Sequence, residues 1–125
     1  MPRMLIVDDE DSMRALVARA IAMDGHDIAT AQDGAEALEI LSGEQGAFDL
    51  LLTDIQMPVM DGIALALAVA RDFPDLTILL MTGFADQRER ASGLNAIAHD
   101  VITKPFSVAD IRTAVADALA TRKAG

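Results

Sequence analysis

Five polar residues spread over most of the chain carry the chemistry this sequence can support: Asp8 and Asp9, Asp54, Thr82 and Lys104. Each follows or closes a short apolar run, so a fold that aligned those runs would gather all five at one rim. Three carboxylates brought together repel and raise one another's pKa unless a cation joins them. Oxygen-only ligands of this kind suit Mg²⁺, which accepts a few carboxylates or carbonyls and keeps water in its remaining positions. A carboxylate can also attack a phosphoryl group to give an aspartyl phosphate, and that reaction demands mainly positioning and neutralisation of the phosphoryl oxygens. Lys104 would pair with one such oxygen as a point charge, and the Thr82 hydroxyl would donate to another.

The elements that must position these residues can be read from the apolar pattern. Runs at Met4–Val7, Asp27–Ala31, Leu50–Thr53, Thr77–Thr82 and Asp100–Thr103 predict five strands. Their nearly continuous apolar character predicts a parallel sheet covered on both faces. Helical spacing connects them. Met13, Leu16, Val17, Ala20 and Ile21 form one stripe, with Ser12 expected as its cap and Gly25 as its end. Asp33 and Glu36 stand at capping-box spacing before Ala37, Leu38 and Leu41. Ser107 and Asp110 open a last helix whose stripe is Ile111, Val115, Ala118 and Leu119, with Arg122 and Lys123 at its favourable dipole end.

Two segments are less regular. In Gly62–Phe73, Ile63, Leu65, Leu67 and Val69 alternate with alanines as in a strand, but alanine's helix propensity and the segment's length predict a helix stopped by Pro74. Ala85–Gly93 offers Gln87, Arg88, Glu89 and Arg90 with few apolar residues to bury, and is expected to be the least stable helix. Five alternations of strand and helix predict a doubly wound α/β fold with right-handed crossovers. In such folds ligands bind at the carboxyl ends of the strands, which is where the five polar residues fall.

With 125 residues and 52% apolar content, one domain spanning 1–125 with a substantial core is the expectation. The chain has no cysteine, which removes disulfides and thiolate metal sites and suits a reducing cytoplasm. Its first apolar run meets Asp8 and Asp9 too soon to be a signal or a membrane span. A formal charge of −10 opposes direct binding to nucleic acid. His26 and His99 stand apart without a partner at metal-ligand spacing and read as surface residues. Met4, Met13 and Met81 read as core filler.

The segments Val7-Asp8-Asp9-Glu10, Leu52-Thr53-Asp54-Ile55, Met57-Pro58, Met60-Asp61-Gly62, Met81-Thr82-Gly83 and Lys104-Pro105-Phe106 resemble, in order and spacing, the receiver domains of response regulators, the CheY-like group. The resemblance covers essentially the whole chain. It implies a flavodoxin-like (βα)5 fold with strand order 2-1-3-4-5, phosphorylation on Asp54, and Asp8 and Asp9 as acidic-pocket residues. It assigns Mg²⁺ to Asp9, Asp54 and the backbone carbonyl of Gln56, with Asp8 acting through water, and it implies a cis peptide between Lys104 and Pro105. Thr82 and Lys104 take the roles their chemistry suggests. The sequence departs from the pattern at Val101, where many receivers carry an aromatic switch residue; Phe84 is the candidate replacement lever. Gln56 and Phe84 also flank the expected path of the hydrolytic water. Leu51–Ile55 and Thr82–Ala85 are similar to CpdR-like single-domain regulators.

The function expected is a phosphoacceptor switch that catalyses only its own phosphorylation and dephosphorylation, without an effector domain. Its donor would be a histidine kinase or histidine phosphotransfer protein. Its output would be binding to a downstream protein, with a regulated protease as one candidate, and with no nucleic acid or membrane contact. Two alternatives stand beside it. A Mg²⁺-dependent phosphatase with an aspartyl nucleophile usually has a second acid two residues on, where this chain has Gln56. A constitutive receiver-like scaffold would not need all five polar residues.

Overall fold

The computed structural model describes residues 2–45, 47–57, 60–83, 98–104 and 106–124. Strands β1 (Arg3–Val7), β2 (Asp27–Ala31), β3 (Leu50–Asp54), β4 (Thr77–Thr82) and β5 (Asp100–Thr103) form one parallel sheet in the order β2-β1-β3-β4-β5. The doubly wound architecture expected from the alternation is therefore present. Helices α1 (Asp11–Ala22), α2 (Gly34–Gly43), α3 (Gly62–Asp72) and α4 (Val108–Ala124) cover it. The helix expected over Ala85–Gly93 lies outside the described residues, as do Phe84, Pro58 and Pro105 with its expected cis peptide.

Side-chain alternation with period two divides the core into two layers. Leu5, Val7, Leu51, Ile55, Ile78 and Leu80 pack against α2 and α3. Met4, Ile6, Leu50, Leu52, Leu79 and Met81 pack against α1 and α4. Full burial on both faces holds for most of β1 and for all of β3, but β2 and β5, at the ends of the strand order, are part-exposed along most of their length. That differs from the uniform burial expected for all five strands, because an outer strand has one neighbour in the sheet. Each fully buried Leu or Ile of the central strands contributes about 1.5–3 kcal/mol.

Local signals decide the helix boundaries. The Asp33 carboxylate accepts from the Glu36 N–H at 2.8 Å and caps α2. Asp61 does the same for α3 through the Ala64 N–H at 2.8 Å. At α4 the box is reciprocal: the Asp110 N–H donates to Ser107 Oγ at 3.0 Å, and the Ser107 N–H donates to Asp110 Oδ2 at 2.9 Å. Ser12, expected to cap α1, instead lies in its first turn and donates to the Glu10 carboxylate, while Glu10 holds the cap position without a side-chain cap bond. Gly25, in the turn that follows the C-terminal end of α1, has φ +80°, in the left-handed region that favours glycine.

The ambiguous alternating segment is helical. Leu65, Ala66 and Val69 are buried along one side of α3, whereas Leu67, which a strand reading would bury with Leu65, is 51% exposed. The chain leaves the helix through Phe73 just before Pro74, as expected.

Candidate functional site

The parallel register brings the five polar residues to one rim. Val7 pairs with Thr53, so Asp8 leaves β1 beside Asp54; Asp54 pairs with Met81, so Thr82 lies one step beyond on β4. Thr82 pairs with Thr103, and the Lys104 N–H donates to the Thr82 carbonyl at 2.7 Å. Alternation adds a second selection. Asp8, Asp54 and Lys104 share the parity of Ile6, Leu52 and Ile102, and so point to the same side of the sheet. Thr82 has the parity of Ile78 and Leu80 and is fully buried on the other. Val101 pairs with Leu80, is part-buried in that same layer, and lies diagonally across from Thr82.

Lys104 Nζ stands 3.4 Å from Asp54 Oδ1 and 3.9 Å from Asp8 Oδ2. One carboxylate oxygen from each of Asp8, Asp9 and Asp54 falls within a group no more than 4.8 Å across. Asp8 is fully buried, Asp54 is 7% exposed, and Asp9 is exposed at the mouth. Burial is the main cause that lifts the Asp54 carboxyl from the ordinary 3.8 to about 6; Lys104 opposes it, and the charges of Asp8 and Asp9 add to it. Burial likewise raises Asp8, against the Glu10 N–H and Lys104, which lower it.

These residues fit a hard divalent cation. Asp8 Oδ1 accepts from the Glu10 N–H at 3.0 Å, but Asp8 Oδ2 is buried without a hydrogen-bond partner among the described residues. Such an orphaned acceptor is costly unless something positive completes it. Three ionised carboxylates against one ammonium leave two negative charges, which a dication would neutralise. Gln56, whose carbonyl was assigned to the metal by resemblance, lies in the loop leaving β3 with its side chain exposed.

Three residues that the sequence reading did not single out for the site also bear on it. Gly62, read there as a helix-start residue, sits so close to β3 that an added Cβ would lie 2.1 Å from the Asp54 carbonyl oxygen, and its N–H donates to the Ile55 carbonyl at 2.7 Å. The Thr53 hydroxyl donates to that same Asp54 carbonyl at 3.0 Å. Arg14, on the first turns of α1, donates to the Asp8 carbonyl at 2.8 Å. A basic residue six positions after Asp8 is a weak signal, because helical geometry alone does not say that it folds back.

The histidines make no part of this site. His99 Nε2 lies 3.0 Å from Asp117 Oδ2, and His26 lies beside Asp24 and Arg112 in a 660 Å³ groove on α4. Away from the site, Glu44 and Asp72 form ion pairs with Arg3 and Arg71.

The family model of the response regulator receiver domain matches residues 4–116. The chain belongs to the response regulator receiver domain family. Among curated relatives, the transcriptional regulatory protein PrrA of Mycobacterium tuberculosis is 36% identical over 110 residues, covering 88% of this chain and 46% of PrrA. The response regulator MprA of Mycolicibacterium vanbaalenii is 33% identical over 109 residues, covering 87% of this chain and 46% of MprA. The receiver domain thus spans less than half the length of the curated relatives it matches. A solved structure of the Thermotoga maritima response regulator TrrA, in complex with Mg²⁺ and beryllofluoride, superposes with a TM-score of 0.84 at 31% identity, over 95% of this chain and 100% of that one. The chemotaxis regulator CheY4 of Vibrio cholerae gives 0.83 at 29% identity, over 95% and 99%. Receiver domains bind Mg²⁺ at an acidic pocket, and the Asp8, Asp9 and Asp54 carboxylates form a cluster compatible with such a site. Receiver domains work with histidine kinases or phosphotransfer proteins. Among the described residues no helix is long and apolar enough to cross a membrane.

Proposed function

We propose that this receiver domain accepts a phosphoryl group on Asp54 with the help of Mg²⁺ and signals by protein contacts. The observation that carries the reading is the Asp54 carboxylate at the end of the central strand, between the Lys104 ammonium at 3.4 Å and the Asp8–Asp9 carboxylates. Asp8, Asp9, Asp54 and the Gln56 carbonyl would hold the metal, whose charge would offset the phosphoryl oxygens when bound. In the transfer, an Asp54 oxygen forms the new P–O bond as the donor's P–N bond breaks, and the imidazole keeps the electron pair and takes a proton. Lys104 is placed to neutralise one phosphoryl oxygen. The Thr82 hydroxyl, drawn toward another, would carry the change into β4 and the segment after it.

The donor in this reading is a phosphohistidine protein and the compartment the cytoplasm. The charge of −10 favours a protein over nucleic acid as the direct contact of this domain. The similarity of Leu51–Ile55 and Thr82–Ala85 to CpdR-like regulators supports a protease adaptor as one such partner.

The test is intact-mass spectrometry and peptide mapping after treatment with acetyl phosphate and Mg²⁺. One phosphoryl group per chain, located on Asp54 and lost in Asp54→Asn, is the expected result. Multiple turnover of p-nitrophenyl phosphate would instead favour the phosphatase, and no labelling would favour the scaffold.

A further inference from the structure

Among the described residues, hydrogen bonds fasten the turn that carries Asp8 and Asp9 on both sides of Asp9. The Asp8 N–H donates to the Ala31 carbonyl at 3.2 Å, tying the turn to β2. Asp8 Oδ1 accepts from the Glu10 N–H, and the Glu10 carbonyl accepts from the Arg14 N–H at 2.9 Å. Asp9 lies between these fixed neighbours. Glu10 holds the N-cap position of α1 without a side-chain cap, so the helix start does not fasten the turn by itself. Arg14 supplies what the cap lacks. Its guanidinium donates from Nη1 to the Asp8 carbonyl at 2.8 Å and from Nη2 to Asp11 Oδ1 at 2.5 Å, with the side chain only 20% exposed. A planar fork can hold a carbonyl and a carboxylate at once, which an ammonium cannot do with the same geometry.

We infer that Arg14 is a positioning residue for the metal: it holds the Asp8–Asp9 turn so that both carboxylates face the Asp54 oxygens. This inference rests on the proposed phosphoacceptor reading. It also reverses the sign expected from charge. Arg14 brings a positive charge up to the Asp8 backbone on the carboxylate-bearing turn, so by electrostatics alone its removal would strengthen the attraction for a cation. Loss of a group that orients a ligand typically weakens metal affinity by about 10–100-fold.

The experiment is titration of Mg²⁺ into wild type, Arg14→Ala and Arg14→Lys, followed by backbone amide NMR at Asp9 and Glu10. Thermal unfolding by circular dichroism in EDTA establishes that each variant is folded. Weaker Mg²⁺ binding by about tenfold or more is expected for Arg14→Ala. Arg14→Lys, which keeps the charge and loses the fork, is expected to fall closer to the alanine variant than to wild type. Faster hydrogen exchange at the Glu10 amide should accompany both. Binding by Arg14→Ala that equals or exceeds wild type, or wild-type affinity in Arg14→Lys, would overturn the positioning role while leaving the metal site intact. Should Arg14→Ala not fold, the lysine variant decides. A wild type that takes up no Mg²⁺ would overturn the phosphoacceptor reading as well, and so separates the two failures.

Discussion

Asp54 is held where ionisation is costly, and replacing it with asparagine should therefore stabilise the metal-free domain. Its carboxyl titrates at about 6 in the folded protein against 3.8 ordinarily. Each pH unit of that difference corresponds to about 1.4 kcal/mol, giving about 3 kcal/mol in all. Because the folded pKa is the higher one, the folded state binds more protons between these values, and stability falls as pH rises through this window. Below it Asp54 is neutral in both states and costs nothing. From pH 5 to pH 8 the remaining loss is about 1.4 kcal/mol, or about 5 °C in Tm for a domain of this size. Asparagine has nothing to titrate, so the difference between wild type and Asp54→Asn reports the ionisation of Asp54 together with its coupling to Asp8 and Asp9. Thermal unfolding followed by far-ultraviolet circular dichroism in EDTA, at several pH values from 5 to 8, should show the variant's advantage growing with pH. Saturating Mg²⁺ should close the gap, since the cation relieves the repulsion in wild type. A variant that is less stable at pH 8, or a difference independent of pH, would refute the reasoning that burial and acidic neighbours dominate over Lys104 at this position.

Lys104→Ala should move the Asp54 carboxyl further upward, because Lys104 is the group that lowers it; carbon-13 titration of the carboxyl resonance checks this. Gly62→Ala should cost about 3 kcal/mol or more in urea denaturation, since its Cβ would meet the Asp54 backbone. Gly43→Ala, at the end of α2 with nothing within 4 Å of the new methyl, should instead be neutral or stabilising by up to about 1 kcal/mol. Ser107→Ala should cost about 1 kcal/mol by removing one half of the reciprocal cap of α4, read from the same denaturation curves.

Much of this protein was legible in local sequence because the determining forces are local. The five apolar runs became five strands, and Asp33, Ser107 and Gly25 mark helix ends as their side-chain and backbone chemistry requires. The site residues were legible too, since a parallel sheet puts every strand's carboxyl end at one rim, so residue type and place in the run sufficed to gather Asp8, Asp54, Thr82 and Lys104. Other features depend on which elements become neighbours, and periodicity does not encode that. Leu67 faces outward because α3 lies against the sheet through Leu65, Ala66 and Val69, although the sequence alternates as a strand would. β2 and β5 are part-exposed because the strand order places them at the two edges of the sheet. Arg14 and Gly62 touch the site through backbone atoms of Asp8 and Asp54, and backbone atoms carry no residue identity for a sequence to display. The raised pKa of Asp54 likewise comes from burial and from acids in the turn after a neighbouring strand, an environment that exists only once the chain has closed around it.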